Sequence, residues 1–167
     1  MVGEDKKTAK PTVYLETSVV SYYAGRPSRD VIVLAHQQIT QEWWEGILPF
    51  CRGFISQLVV EEASAGDPEA ARKKLEVLSA FDKLEITEEA ESLAQLYLQR
   101  IPFLANSSRD ALHLAIASSS EMDYLLTWNC AHIASGLVRK ALMLINDSQS
   151  IETPTICTPE ELLELQT

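Results

Sequence analysis

Five short runs rich in strand-forming residues recur along the chain, with helix-like stretches between them. They are Thr12-Val13-Tyr14-Leu15, Phe54-Ile55-Ser56, Leu84-Glu85-Ile86-Thr87, Tyr124-Leu125-Leu126-Thr127 and Pro154-Thr155-Ile156-Cys157. Strands alternating with helices predict an α/β protein whose parallel sheet carries helices on both faces. Open sheets of this class place their ligands beyond the C-terminal ends of the strands. The first run stops on Glu16, with Thr17 and Ser18 next, so a buried strand would deliver a carboxylate to that edge.

The segments between the runs read as helices. Val19 to Ala24 predicts a short one, ended by Gly25-Arg26-Pro27. Ser28 or Asp30 can cap the next, where Val31, Leu34, Ala35, Gln38, Ile39 and Trp43 recur at helical spacing. Leu58 to Ala65 reads as a turn or two, and Asp67 with Pro68 opens a helix over Glu69 to Phe81. From Thr87 another runs to Ile101 and stops at Pro102, with Glu88, Glu89 and Glu91 suiting the dipole of its first turn. Ser107 or Ser108 caps a helix from Asp110 to about Glu121 that is apolar nearly all round and so packed on both sides. A helix over Ala131 to Ile145 and a terminal one after Thr158-Pro159 complete the pattern. Residues 1–10 read as a flexible polar arm and 11–167 as one domain.

A chain of 167 residues suits one domain with a sizeable core. No apolar run approaches the roughly 18 residues needed to span a bilayer, and a cytoplasmic protein is expected. Cys51, Cys130 and Cys157 are far apart and in no ligand-like spacing, which argues against a disulfide framework or a zinc site. A net charge of −10 argues against broad binding of phosphates by a basic surface. It leaves open an acidic pocket that engages phosphate through a divalent cation.

The acids that could form such a pocket can be sorted by position. Glu16 ends the first strand, though a solvated acid at a strand end is the plainer alternative. In Leu58-Val59-Val60-Glu61-Glu62, Glu62 shares a helical face with Leu58 and Val59 while Glu61 is turned away, so Glu62 is favoured and Glu61 is at most a support. Asp110 stacks with Leu114 and Ala117 on a helix of core residues, where a charge needs a partner or a metal, unless it only complements the dipole. His113, one turn on, reads as a hydrogen-bonded core histidine. Around the fourth strand, Asp123 falls at the edge away from Glu16, whereas Thr127 and Asn129 emerge beside it. Asn129 also suits a helix cap.

These stretches resemble a known family. Val13 to Tyr22, Ser56 to Glu62, Asp110 to Ala117 and Asp123 to Asn129, in that order and together with Pro154 to Leu162, look like a PIN-domain ribonuclease of the VapC toxin type. The resemblance implies a three-layer α/β/α PIN-like fold with about five parallel strands, and an acidic Mg²⁺ or Mn²⁺ site formed by Glu16, Glu62 and Asp110. It also implies cleavage of single-stranded RNA, an antitoxin partner, and a homodimer for which the Trp43-Trp44 helix is a candidate contact. Thr17, Ser18 and Thr127 would position waters or phosphate oxygens, and Arg26, Arg29 or Arg109 would touch flanking phosphates. Two departures stand out: the family's usual Asp is Glu16 here, and a frequent further Asp is Asn129.

Hard oxygen ligands select Mg²⁺ or Mn²⁺ over zinc and suit metal-assisted hydrolysis of a phosphodiester. Three other classes compete. A depleted PIN-like binding module is favoured by Asn129 and by the acidic surface. A phosphotransferase of the aspartyl-phosphate type wants a nucleophilic Asp where Glu16 stands. A dinucleotide enzyme wants a G-x-G-x-x-G or Walker pattern, and the chain contains neither.

Overall fold

The computed structural model describes residues 9–164, so most of the expected N-terminal arm lies outside the described residues. Its five strands are β1 (Thr12–Leu15), β2 (Arg52–Ser56), β3 (Asp82–Leu84), β4 (Tyr124–Leu126) and β5 (Thr155–Cys157). All neighbouring strands pair in parallel, in the order β3-β2-β1-β4-β5. Seven helices occupy the connections: α1 (Thr17–Ala24), α2 (Val31–Gly46), α3 (Gln57–Ala63), α4 (Pro68–Leu78), α5 (Glu88–Arg100), α6 (Ser108–Ser119) and α7 (Gly136–Ser148). The result is the expected three-layer α/β/α arrangement.

β1 is central, with β2 and β3 on one side of it and β4 and β5 on the other. The direction of strand addition therefore reverses at β1, the place beyond whose C-terminal end sheets of this class bind their ligands. Because the central strands are covered on both faces, they are apolar throughout rather than alternating. Val13, Tyr14, Leu15, Leu125 and Leu126 are fully buried. Each large side chain buried in this way contributes about 1.5–3 kcal/mol relative to exposure. α6 meets the expectation of packing on both sides, with Ala111 and every residue from His113 to Ser118 buried.

Several boundaries differ from the sequence reading, each for a local reason. β2 begins at Arg52 and runs through Gly53, where a Cβ would sit 2.6 Å from the Phe81 ring, so only glycine lets that ring pack against the strand. α4 stops at Leu78 and β3 is Asp82–Leu84 instead of Leu84 to Thr87. This edge strand is polar and exposed in its first two residues, and hydrophobic patterning therefore misplaces it. α7 starts at Gly136, not Ala131, with the Ser135 hydroxyl accepting from Val138 N. After Pro159 the described residues form a 3-10 turn over Glu160–Leu162.

In α2, Asp30 is the cap, accepting from the backbone N–H groups of Ile32 and Val33. The predicted stripe holds in part: Trp43 is buried and Ile39 packs on the core, but Val31, Ala35 and Gln38 are exposed and Thr40 joins the buried side. Thr40 belongs inside because its hydroxyl donates to His36 O and accepts from the Trp128 indole, at 2.6 and 2.7 Å. Trp43 is core, and the partly buried Trp44 stacks on Tyr23 at 4.1 Å. Among the described residues no helix is long and apolar enough to cross a membrane.

Candidate active site

β1 ends where its apolar run ends, and Glu16 becomes the N-cap of α1 with extended backbone. Its carboxylate is nearly buried, at 6% exposure. One oxygen, Oε2, accepts from Ser18 N at 3.1 Å, from the Ser18 hydroxyl, and from Thr127 Oγ1 at 2.8 Å. Both hydroxyls are anchored in turn: Ser18 Oγ accepts from Trp128 N and Thr127 Oγ1 accepts from Asn129 N, each at 2.9 Å. The turn after β4 is thus stitched to the turn after β1. Among the described residues Oε1 receives no hydrogen bond, which leaves one oxygen of a fixed carboxylate available to a ligand.

Glu62 arrives from the other side. α3 begins directly after β2, with Ser56 as its cap. The Ser56 hydroxyl meets Tyr14 Oη at 2.8 Å, Tyr14 Oη meets His113 Nδ1 at 2.7 Å, and His113 Nε2 meets Glu62 Oε1 at 2.6 Å. Thr17 Oγ1 donates to the same Glu62 oxygen at 2.7 Å. Burial by itself would raise the Glu62 carboxyl, but hydrogen bonding to His113 and Thr17, with the charge of Arg109 nearby, outweighs it and holds the group below the usual carboxylate range. Burial pushes the Tyr14 phenol far above its usual range, against the opposing Ser56 hydrogen bond, so the phenol keeps its proton.

Those protonation states fix the direction of the relay for a neutral imidazole. An ionised Glu62 can only accept, so His113 Nε2 donates to it and Nδ1 accepts from Tyr14. Tyr14 must then accept from Ser56. Every buried polar atom in this line is used, and His113 therefore holds Glu62 in place.

The ligand atoms of Glu16, Glu62 and His113 all lie within 4.8 Å of one another. Two of the three expected acids thus converge. Asp110 is not part of that trio; it sits one helical turn before His113, on the same face of α6. Its Oδ1 accepts from Asn129 Nδ2 at 3.1 Å and its Oδ2 meets His132 Nδ1 at 2.9 Å. Asn129 Nδ2 and Thr127 therefore connect Asp110 back to Glu16. Asn129 also caps the following turn, its Oδ1 accepting from His132 N at 3.1 Å. Both ends of its amide are engaged, so it serves as cap and as holder of Asp110.

Other expectations are redistributed. Thr17, Ser18 and Thr127 donate their hydroxyls to carboxylates, which gives them the orienting of acids in place of the expected contact with water or phosphate. Glu61 is exposed and lines an adjacent open groove with Leu58, Glu88, Glu91, Arg109 and Leu112. Arg26 pairs with Glu69 on the surface, Arg29 is exposed, and Arg109 lies 4.0 Å from Glu62 Oε2. His132 escaped the sequence reading because its partner Asp110 is 22 residues away and no local pattern announces the pair. Ser107 offered a clue, since as N-cap of α6 it makes no capping bond and turns its hydroxyl to His132 at 3.2 Å.

Oxygen donors that are held apart from one another but not exhausted suit a hard divalent cation. Glu16 and Glu62, each held by one oxygen and within ligand distance of one another, meet that requirement.

No protein-family model matches the chain. No curated protein matches it in sequence. In three dimensions it is similar to a chain of VapBC2 from Rickettsia felis, crystallised with a DNA fragment from their promoter: TM-score 0.53, 14% sequence identity, 88% of this chain and 98% of that one covered. The likeness is one of fold, and it agrees with the three-layer α/β/α arrangement described above.

Proposed function

We propose that this chain is a metal-dependent endoribonuclease that hydrolyses phosphodiester bonds of single-stranded RNA. The observation that carries the reading is the convergence of the Glu16 and Glu62 ligand atoms at the reversal point of the sheet, with Asp110 on the adjoining face of α6. Two carboxylates brought this close, one of them almost buried, repel each other, and a cation relieves that repulsion.

Glu16, Glu62 and Asp110 would hold Mg²⁺ or Mn²⁺. When bound, such an ion polarises a phosphate and lowers the pKa of a water. The chain's own part is orientation. Ser18 and Thr127 fix Glu16 by one oxygen, Thr17 and His113 fix Glu62 by one oxygen, and Asn129 with His132 fixes Asp110. Such supporting contacts are commonly worth 10- to 100-fold in metal affinity or activity.

The similarity to a chain of VapBC2 supports a toxin role with an antitoxin partner, in the cytoplasm. A net charge of −10 favours a partner segment that brings Lys or Arg to the acids. A homodimer is part of the same reading. Asn129, standing where an acid is frequent, favours a second reading, a PIN-like binding module without activity. Cleavage of single-stranded RNA that requires Mn²⁺ and disappears in Asp110→Asn is the expected result; wild-type protein that binds partners but cuts no RNA would decide for the module.

A further inference from the structure

The two oxygens of Glu62 have different company. Oε1 takes both Thr17 and His113, whereas Oε2 has one neighbour, Arg109 Nη1, at 4.0 Å. This is a loose contact, too long for a hydrogen bond, and the Arg109 side chain is 59% exposed. An exposed, single-point ion pair of this kind is weak and readily exchanged. It is nevertheless the one Lys or Arg pair made by a site acid among the described residues; those of Arg26, Arg72, Lys73 and Arg139 involve Glu69, Glu76 and Glu161.

Position adds a second argument. Arg109 immediately precedes Asp110 in the first turn of α6, and its side chain also borders the groove lined by Leu58, Glu61 and Leu112. The guanidinium therefore stands at the boundary between the acids and open solvent. Its planar fork of donors matches a phosphate as well as a carboxylate.

Resting on the nuclease reading, we propose that Arg109 is an exchangeable counter-ion. It neutralises Glu62 Oε2 until a divalent cation takes that oxygen, and the released guanidinium then contacts the phosphate backbone of the RNA. One residue thereby couples occupation of the acids to capture of substrate.

The test compares wild type, Arg109→Gln and Arg109→Lys. By calorimetry Arg109→Gln should bind Mn²⁺ about two- to fivefold more tightly, the range an exposed pair is worth. With Ca²⁺ in the site, its affinity for a labelled oligouridine should depend less on salt, the log–log slope falling by about one. Arg109→Lys keeps the charge and should restore the slope. Mn²⁺ affinity that is unchanged or lower in Arg109→Gln, or an unaltered slope, overturns the proposal. Wild-type protein that binds no Mn²⁺ at all is a distinct result, and it removes the nuclease reading itself.

Discussion

Each end of the sheet carries an acid beside the pair β1 and β4, and the two acids are used in different ways. At the N-terminal edge Asp123 Oδ2 accepts from Thr12 N and Thr12 Oγ1 at 2.8 and 3.0 Å, and Thr12 Oγ1 accepts from Asp123 N at 2.9 Å. This is a reciprocal clasp in contact with solvent. At the C-terminal edge Glu16 is almost buried, pinned by one oxygen, and within ligand distance of a second carboxylate. An acid at a strand end is thus no sign of function in itself. Two acids brought together, one of them almost buried, are harder to explain as surface decoration, because desolvation and like charge both oppose the arrangement.

The sharpest way to break this contrast is to neutralise both acids. Glu16→Gln preserves shape but removes the charge, and RNA cleavage should fall at least about a hundredfold. Asp123→Asn in the same assay should stay within about twofold of wild type, the range of surface changes away from such features. Equal losses in the two variants would erase the distinction.

Next in size is the relay behind Glu62. Tyr14→Phe leaves His113 Nδ1 without its buried partner, which should cost about 1–3 kcal/mol in urea unfolding. The same variant should weaken Mn²⁺ binding by about tenfold, as loss of an orienting contact does. A stability loss with unchanged metal affinity would make the relay purely structural.

The clasp gives a smaller and simpler effect. Asp123→Ala should lose about 1 kcal/mol of stability, with Mn²⁺ affinity unaltered. Any change in metal binding would mean that the two edges are coupled.

Smallest is an acid outside both edges. Glu161 pairs with Arg139 and accepts from Thr158 N, contacts that outweigh partial burial and lower its carboxyl. A lowered carboxyl stabilises the fold above its unfolded pKa, about 4.3 for Glu, and that contribution is lost as pH falls through the folded value. Glu161→Gln should remove less than about 0.5 kcal/mol of this acid-sensitive stability, because the side chain is about half exposed. Melting temperatures read across the acid range check it.

What the sequence could reveal follows from the range of each interaction. β1 and its terminal Glu16 were legible because Thr12 to Leu15 are all strand formers, the last three of them buried. Choosing Glu62 over Glu61 needed only helical phase, and the exposure of Glu61 agrees with it. β3 was misplaced because Asp82 and Lys83 owe their strand to pairing with β2 and not to any apolar pattern. Thr40 was missed from the seam of α2 because it is drawn inward by an indole 88 residues away. His113 was recognised as a core histidine, while its role as holder of Glu62 depended on Tyr14 and Ser56, from two other strands. Hydroxyl-to-carboxylate bonds that cross the sheet leave no periodic trace.

The placement of β1 in the middle of the sheet has a consequence for biogenesis. During synthesis its partner β2 emerges early, and Glu16 and Glu62 are both present once α3 has formed. Thr127 and Trp128, which aim Glu16, and His113, which aims Glu62, are made much later. A ribosome-bound fragment that ends before α6 carries both charges with only Thr17 and Ser18 to orient them, so the site is completed only when the last third of the chain docks.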